Sequence, residues 1–122
     1  MSQEPLAQRG NFLHIYDFRV MAGREAEFIE LFEKFDYGDD NPMHKSAAQV
    51  KDGVLCRDTT DPQRFFLIAE WKSVEQHAAI LPVLRAMKPE FIRFIEGGGP
   101  AFTPKYVEVV SSTPDEILNK TS

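Results

Sequence analysis

The chain has 122 residues, of which 43% are apolar and 27% charged, the profile of one folded domain rather than of two domains or a disordered chain. A net charge of −5 with scattered Lys and Arg excludes a nonspecific grip on nucleic acid or anionic lipid, which takes clustered cations. The longest unbroken apolar run, Phe65 to Ala69, is far shorter than the roughly 20 residues of a membrane span.

In chain order, residues 1–11 are polar, contain Pro5 and Gly10, and read as a flexible tail. Residues 12–20 are aromatic and β-branched without interruption, which predicts a strand. Its period of two puts Phe12, His14, Tyr16, Phe18 and Val20 on one face and Leu13, Ile15, Asp17 and Arg19 on the other. Ala22-Gly23 breaks the strand. Phe28, Leu31, Phe32 and Phe35 then recur at helical spacing over residues 24–35, with Glu25 and Glu27 in the first turn, where carboxylates suit the helix dipole.

Residues 36–52 read as a long loop with a short helical turn between Met43 and Val50, either a pocket lid or wall or an ordinary surface insertion. Gly53 to Thr60 and Arg64 to Trp71 read as strands joined into a hairpin by Asp61-Pro62-Gln63. The run Phe65 to Ala69 does not alternate, so both of its faces should be covered. Ser73 and Gln76 have capping-box spacing for a second helix, which Pro82 and Pro89 should kink or divide. Phe91, Ile92, Phe94 and Ile95 add an apolar stretch that Gly97-Gly98-Gly99-Pro100 ends. Tyr106 to Val110 reads as the last strand, and 111–122 as a polar tail. The domain proper is thus 12–110.

The order β-α-β-β-α-β is that of the ferredoxin-like α+β fold, in which two helices cover one face of a four-stranded antiparallel sheet. Apolar residues on both faces of the first and third strands imply that the open face meets a partner, most simply a second copy of the chain.

Three stretches carry a family likeness. They are Phe18-Arg19-Val20-Met21-Ala22-Gly23-Arg24-Glu25-Ala26-Glu27-Phe28, the hairpin Leu55 to Phe66, and its continuation Ile68-Ala69-Glu70-Trp71-Lys72-Ser73. Over about residues 12–96 the chain resembles the antibiotic biosynthesis monooxygenase superfamily of dimeric α/β-barrel proteins. The resemblance implies a homodimer built through the open sheet face. It also implies a range of activities, from cofactor-free oxygenation of aromatic polyketides to haem degradation and isomerisation of small phosphorylated signals. The haem-degrading branch places Asn, Trp and His where this chain has Tyr16, Ile80 and Glu90, which disfavours that chemistry. Ile80 also stands where many relatives carry a His one helical turn after His77, which weakens the isomerase reading.

Several residues are candidates for chemistry. His77, on the apolar side of the second helix, is the candidate catalytic base; a satisfied core histidine is the plainer reading. Trp71 ends the third strand and either packs in the core, the preferred reading, or donates its indole N–H to a ligand. His14 and Tyr16 place polar tips on an aromatic face, lining a pocket or bonding across the dimer seam, with the seam preferred. Arg57 either holds an anionic oxygen or forms a cross-strand ion pair. Cys56, the single cysteine, reads as a packing residue, and no disulfide within the chain or thiolate zinc site can form. His14, His44 and His77 lie on separate elements, so no metal is expected.

The expectation is therefore a cofactor-independent monooxygenase acting on a small aromatic or enolisable substrate. The alternative is a non-enzymatic, dimeric small-molecule-binding or stress-associated barrel protein. Neither nucleic acid nor membrane is an expected partner. The first residues lack the basic and apolar regions of a secretory signal, so the cytoplasm is the expected location.

Overall fold

A computed structural model describes residues 4–119. Strand β1 (Phe12–Arg19) leads into helix α1 (Glu25–Asp36) and a 3-10 turn at Pro42–Lys45. Strands β2 (Gln49–Asp58) and β3 (Asp61–Trp71) and helix α2 (Val74–Ala86) follow. After 3-10 turns at Glu90–Phe94 and Gly99–Ala101 come strand β4 (Pro104–Glu108) and a short helix α3 (Asp115–Leu118). The strands form an antiparallel sheet in the order β2-β3-β1-β4, the ferredoxin-like α+β arrangement.

The helices cover the face that carries Phe12, His14, Tyr16 and Phe18 of β1 opposite Trp71, Ala69, Leu67 and Phe65 of β3. Phe28 and Phe32 of α1 are buried there, and the rings meet mostly edge to face: Phe18 to Phe28 at 5.6 Å, Phe28 to Phe65 at 5.3 Å, Phe32 to Phe91 at 5.1 Å. Each buried Phe contributes about 1.5–3 kcal/mol, so this aromatic cluster anchors α1 to the sheet.

Several boundaries differ from the sequence reading. β2 starts at Gln49, and the hairpin turns at Thr59-Thr60, because Asp58 Oδ1 accepts from the Thr60 N–H and hydroxyl and closes the turn there. Pro62 accordingly lies inside β3. α2 runs through Pro82 undivided and ends before Pro89. Ala78 and Pro82 are both exposed, so the Ala78 carbonyl that Pro82 cannot bond lies on the solvent side. The apolar stretch at 91–95 forms a 3-10 turn and then pairs with the end of β1, where Met21 N–H donates to the Phe94 carbonyl and Glu96 N–H to the Arg19 carbonyl, both at 2.8 Å.

The outer face of the sheet is partly covered by the chain's own ends. Gln8 N–H and Asn11 Nδ2 donate to Glu70 Oε2 at 2.7 and 2.8 Å, Lys51 Nζ to the Pro5 carbonyl at 3.0 Å, and Ser112 Oγ to the Ala7 carbonyl at 2.7 Å. Ala7 and Glu70 are buried as a result. Residues 5–11 and Ser112, read as tails from their polarity, are thus held by hydrogen bonds that composition does not reveal. Residues 1–3 and 120–122 of those tails lie outside the described residues. Ile15, Phe66 and Ile68 remain partly exposed on the same face, with Val54 more than half exposed and Cys56 exposed rather than packed. No helix among the described residues is long and apolar enough to cross a membrane.

Candidate functional site

Beneath the helices, five polar rings from four elements form two hydrogen-bonded groups. Ser73 Oγ accepts from the Gln76 N–H and caps α2, and His77, Leu81 and Leu84 then fall at i, i+4 and i+7 on its buried side. His77 Nε2 lies 3.0 Å from the Tyr16 hydroxyl, and its Nδ1 lies 2.7 Å from the Tyr106 hydroxyl. Tyr106 reaches this place because the β1–β4 register sets it opposite His14. The Trp71 indole N–H donates to His14 Nδ1 at 3.0 Å, and the His14 and His77 rings lie 4.5 Å apart.

These contacts define the state of His14. An indole N–H can only donate, so Nδ1 is the acceptor and the proton of the neutral ring sits on Nε2. That Nε2 is buried without a hydrogen-bond partner among the described residues. Burial, and then the neighbouring His77, depress the His14 pKa to about 3; burial alone lowers His77 to about 4. Both imidazoles are therefore neutral at pH 7. Burial first, then Tyr106, raises Tyr16 far above the usual phenol value, and burial also raises Tyr106; the Arg85 guanidinium opposes both shifts. Arg85 reaches this region from α2 by donating to the Phe102 carbonyl at 2.6 Å and to Thr103 Oγ1 at 3.1 Å.

His14, Tyr16 and His77 line a cavity whose other walls are Phe32, Phe35, Leu67, Leu84, Phe91 and Phe102. The segment between α1 and β2 closes it with Asn41, Met43, His44 and Gln49. Asn41 pins this segment: its Oδ1 accepts from the Met43 N–H at 3.0 Å and its Nδ2 donates to Asp36 Oδ1 at 3.1 Å. Residues 36–49 are thus a pocket wall. Asp36 and His44 are lining residues with partly exposed side chains, which marks the mouth. The space open to water within the cavity is about 30 Å³, room for one or two waters at about 15 Å³ each.

Of the expected residues, His14, Tyr16, Trp71 and His77 come together. The preference for His14 and Tyr16 at a dimer seam is overturned, because their face is the one the helices cover. Trp71 is buried and its N–H is committed to His14, so it positions that ring rather than meeting a ligand. Arg57 stands apart: it is exposed, it lies over the Phe65 ring at 5.5 Å, and it lines a different, open groove. Tyr106, Asn41 and Phe102 were not singled out from the sequence. An aromatic in the last strand was the available sign for Tyr106, but its significance depends on register. Among the described residues no group of three His, Cys, Asp or Glu side chains is placed to hold a metal ion.

Comparison with known proteins agrees on the architecture. No protein-family model and no curated protein matches the chain. Among solved structures it is similar to a provisionally named antibiotic biosynthesis monooxygenase of Bordetella bronchiseptica, with a TM-score of 0.54 and 23% identity over 81% of this chain and 94% of that one. It is also similar to one so named from Chloroflexus aurantiacus, with a TM-score of 0.57 and 17% identity over 86% and 98%. A dimeric ferredoxin-like protein from an uncultured marine organism gives a TM-score of 0.57 and 16% identity over 87% and 91%. The chain therefore shares the ferredoxin-like α+β fold of these structures.

Proposed function

We propose that this cavity binds a small aromatic or enolisable molecule and promotes its oxygenation by O2 without a cofactor. The observation that carries the reading is the unpartnered Nε2–H of His14, held in that tautomer by Trp71, beside the Tyr16–His77 pair in an aromatic pocket. His14 Nε2–H suits a carbonyl or phenolic oxygen and stabilises the negative charge that grows there on deprotonation. Tyr16 and His77 receive the substrate proton. The electron-rich anion then adds O2, takes back a proton as a hydroperoxide, and loses water, so that a CH2 group and O2 give a carbonyl and H2O.

A planar substrate needs more than the present space, since small-molecule pockets run to about 300 Å³ and above. In this reading the wall at 36–49 moves outward to admit it. We further propose that the exposed part of the outer face, Ile15, Val54, Phe66 and Ile68, pairs with a second copy; that a ferredoxin-like structural neighbour is named as dimeric supports a dimer.

The test is O2 uptake with anthrone- or quinol-type substrates, comparing the wild type with His77→Ala. Uptake that disappears in the variant supports the assignment; uptake that is absent, or equal in both proteins, overturns it. The tightness of the cavity favours a second reading, a non-enzymatic binding protein. Thermal stabilisation by an aromatic ligand without O2 uptake would select that reading.

A further inference from the structure

We propose that Tyr16, His77 and Tyr106 form a proton relay between the cavity and solvent, with Tyr106 as its outer end. The inference rests on the site reading above but makes a claim about proton movement that stands or falls separately. Three observations carry it. The hydrogen bonds are continuous, 3.0 Å from Tyr16 to His77 and 2.7 Å from His77 to Tyr106. The inner two members line the cavity and are buried, whereas Tyr106 is partly exposed. Both nitrogens of His77 are engaged by hydroxyls that can donate or accept, so the imidazole can take a proton at one and release one at the other without becoming a stored cation. Arg85, whose charge acts on both phenols, eases any transient negative charge at either end.

Protons balance as follows. In the starting tautomer the Tyr16 hydroxyl donates to Nε2, and Nδ1–H donates to Tyr106. As the substrate proton moves to the Tyr16 oxygen, the Tyr16 proton passes to Nε2, the Nδ1 proton to the Tyr106 oxygen, and the Tyr106 proton to solvent water. The substrate is left as its anion, and His77 is left neutral in the other tautomer. The reverse sequence delivers one solvent proton to the hydroperoxide anion and restores the first tautomer. One proton out and one back per turnover therefore resets the chain.

The experiment needs no substrate. In the 15N-labelled full chain, exchange of the His77 ring N–H with water is measured by NMR in the wild type and in Tyr106→Phe, with the Trp71 indole N–H as a buried control. The relay predicts fast exchange at His77 despite its burial, slowed about tenfold or more by the variant, with Trp71 unchanged. An equal rate at His77 in both proteins overturns the relay. Slowing at both His77 and Trp71 also overturns it, because that reports global tightening. Tyr106→His, which restores a group able to donate and accept, should recover part of the lost exchange, and failure to do so counts against the relay. If the relay is seen but no substrate consumes O2, the oxygenase reading falls and the relay stands. If O2 is consumed and exchange does not respond to Tyr106, the relay falls alone.

Discussion

A Trp71→Phe substitution keeps most of the ring's packing but removes the proton that His14 Nδ1 receives. It should cost about 1–3 kcal/mol, the usual penalty for a buried polar group left unsatisfied, measured as a lower urea midpoint. It should also release the His14 tautomer, read as a change in the ring 15N shifts. A second consequence follows from the depressed histidine pKa values, about 3 for His14 and about 4 for His77. Between those values and the ordinary value near 6.5, the unfolded chain binds protons that the folded chain does not. The stability that neutral burial provides is therefore complete above about pH 6.5 and is lost as pH falls toward 4 and 3. Each histidine adds up to about 1.4 kcal/mol per pH unit to that slope. The stability of His14→Gln should accordingly fall less steeply from pH 7 to 5 than that of the wild type.

The elements differ in what holds them. α1 is anchored by its phenylalanines, whereas the wall between α1 and β2 combines the buried Met43 side chain with polar contacts, buried Asn41 being bonded to Asp36 and to the Met43 N–H. Asn41→Ala should lower stability by about 1–2 kcal/mol, as loss of a buried capping contact does. It should also raise amide hydrogen exchange selectively between residues 38 and 48. If the wall gates the cavity, the same variant should bind a planar aromatic probe faster, as a stopped-flow measurement would show. The turn after the 91–95 stretch is a different case. Gly97 has φ 86°, and a Cβ placed there would lie 2.9 Å from Ala101 Cβ, so both backbone conformation and space require glycine.

At the scale of the whole molecule, the two faces of the sheet carry different duties. The inner face supports the cavity, and the outer face offers Ile15, Phe66 and Ile68 beside the bidentate Asp17–Arg64 pair. If that surface joins two copies, the wild type sediments at twice the 13.9 kDa chain mass, and Phe66→Glu returns it to a single chain by placing an unpaired charge in the seam. The element order and the ferredoxin-like class were legible in the sequence, because strand and helix periods are local properties of the residues. His14, Tyr16, Trp71 and His77, which come together in the structure, could be singled out beforehand because a His, Tyr or Trp amid apolar neighbours stands out in a sequence. Which sheet face the helices would cover was not legible: both faces of β1 and β3 are apolar, and hydrophobic burial has no direction. Nor could spacing along the chain show that Tyr106 would meet His77, that Trp71 would spend its proton on His14, or that Gln8 and Asn11 would cap Glu70. Those contacts join residues 29 to 62 positions apart. The sequence alone determined which kinds of element form and that the sheet has two apolar faces. Only the tertiary structure decided which side became a cavity and which polar groups face one another there, because strand register and helix placement are set by packing over the whole chain.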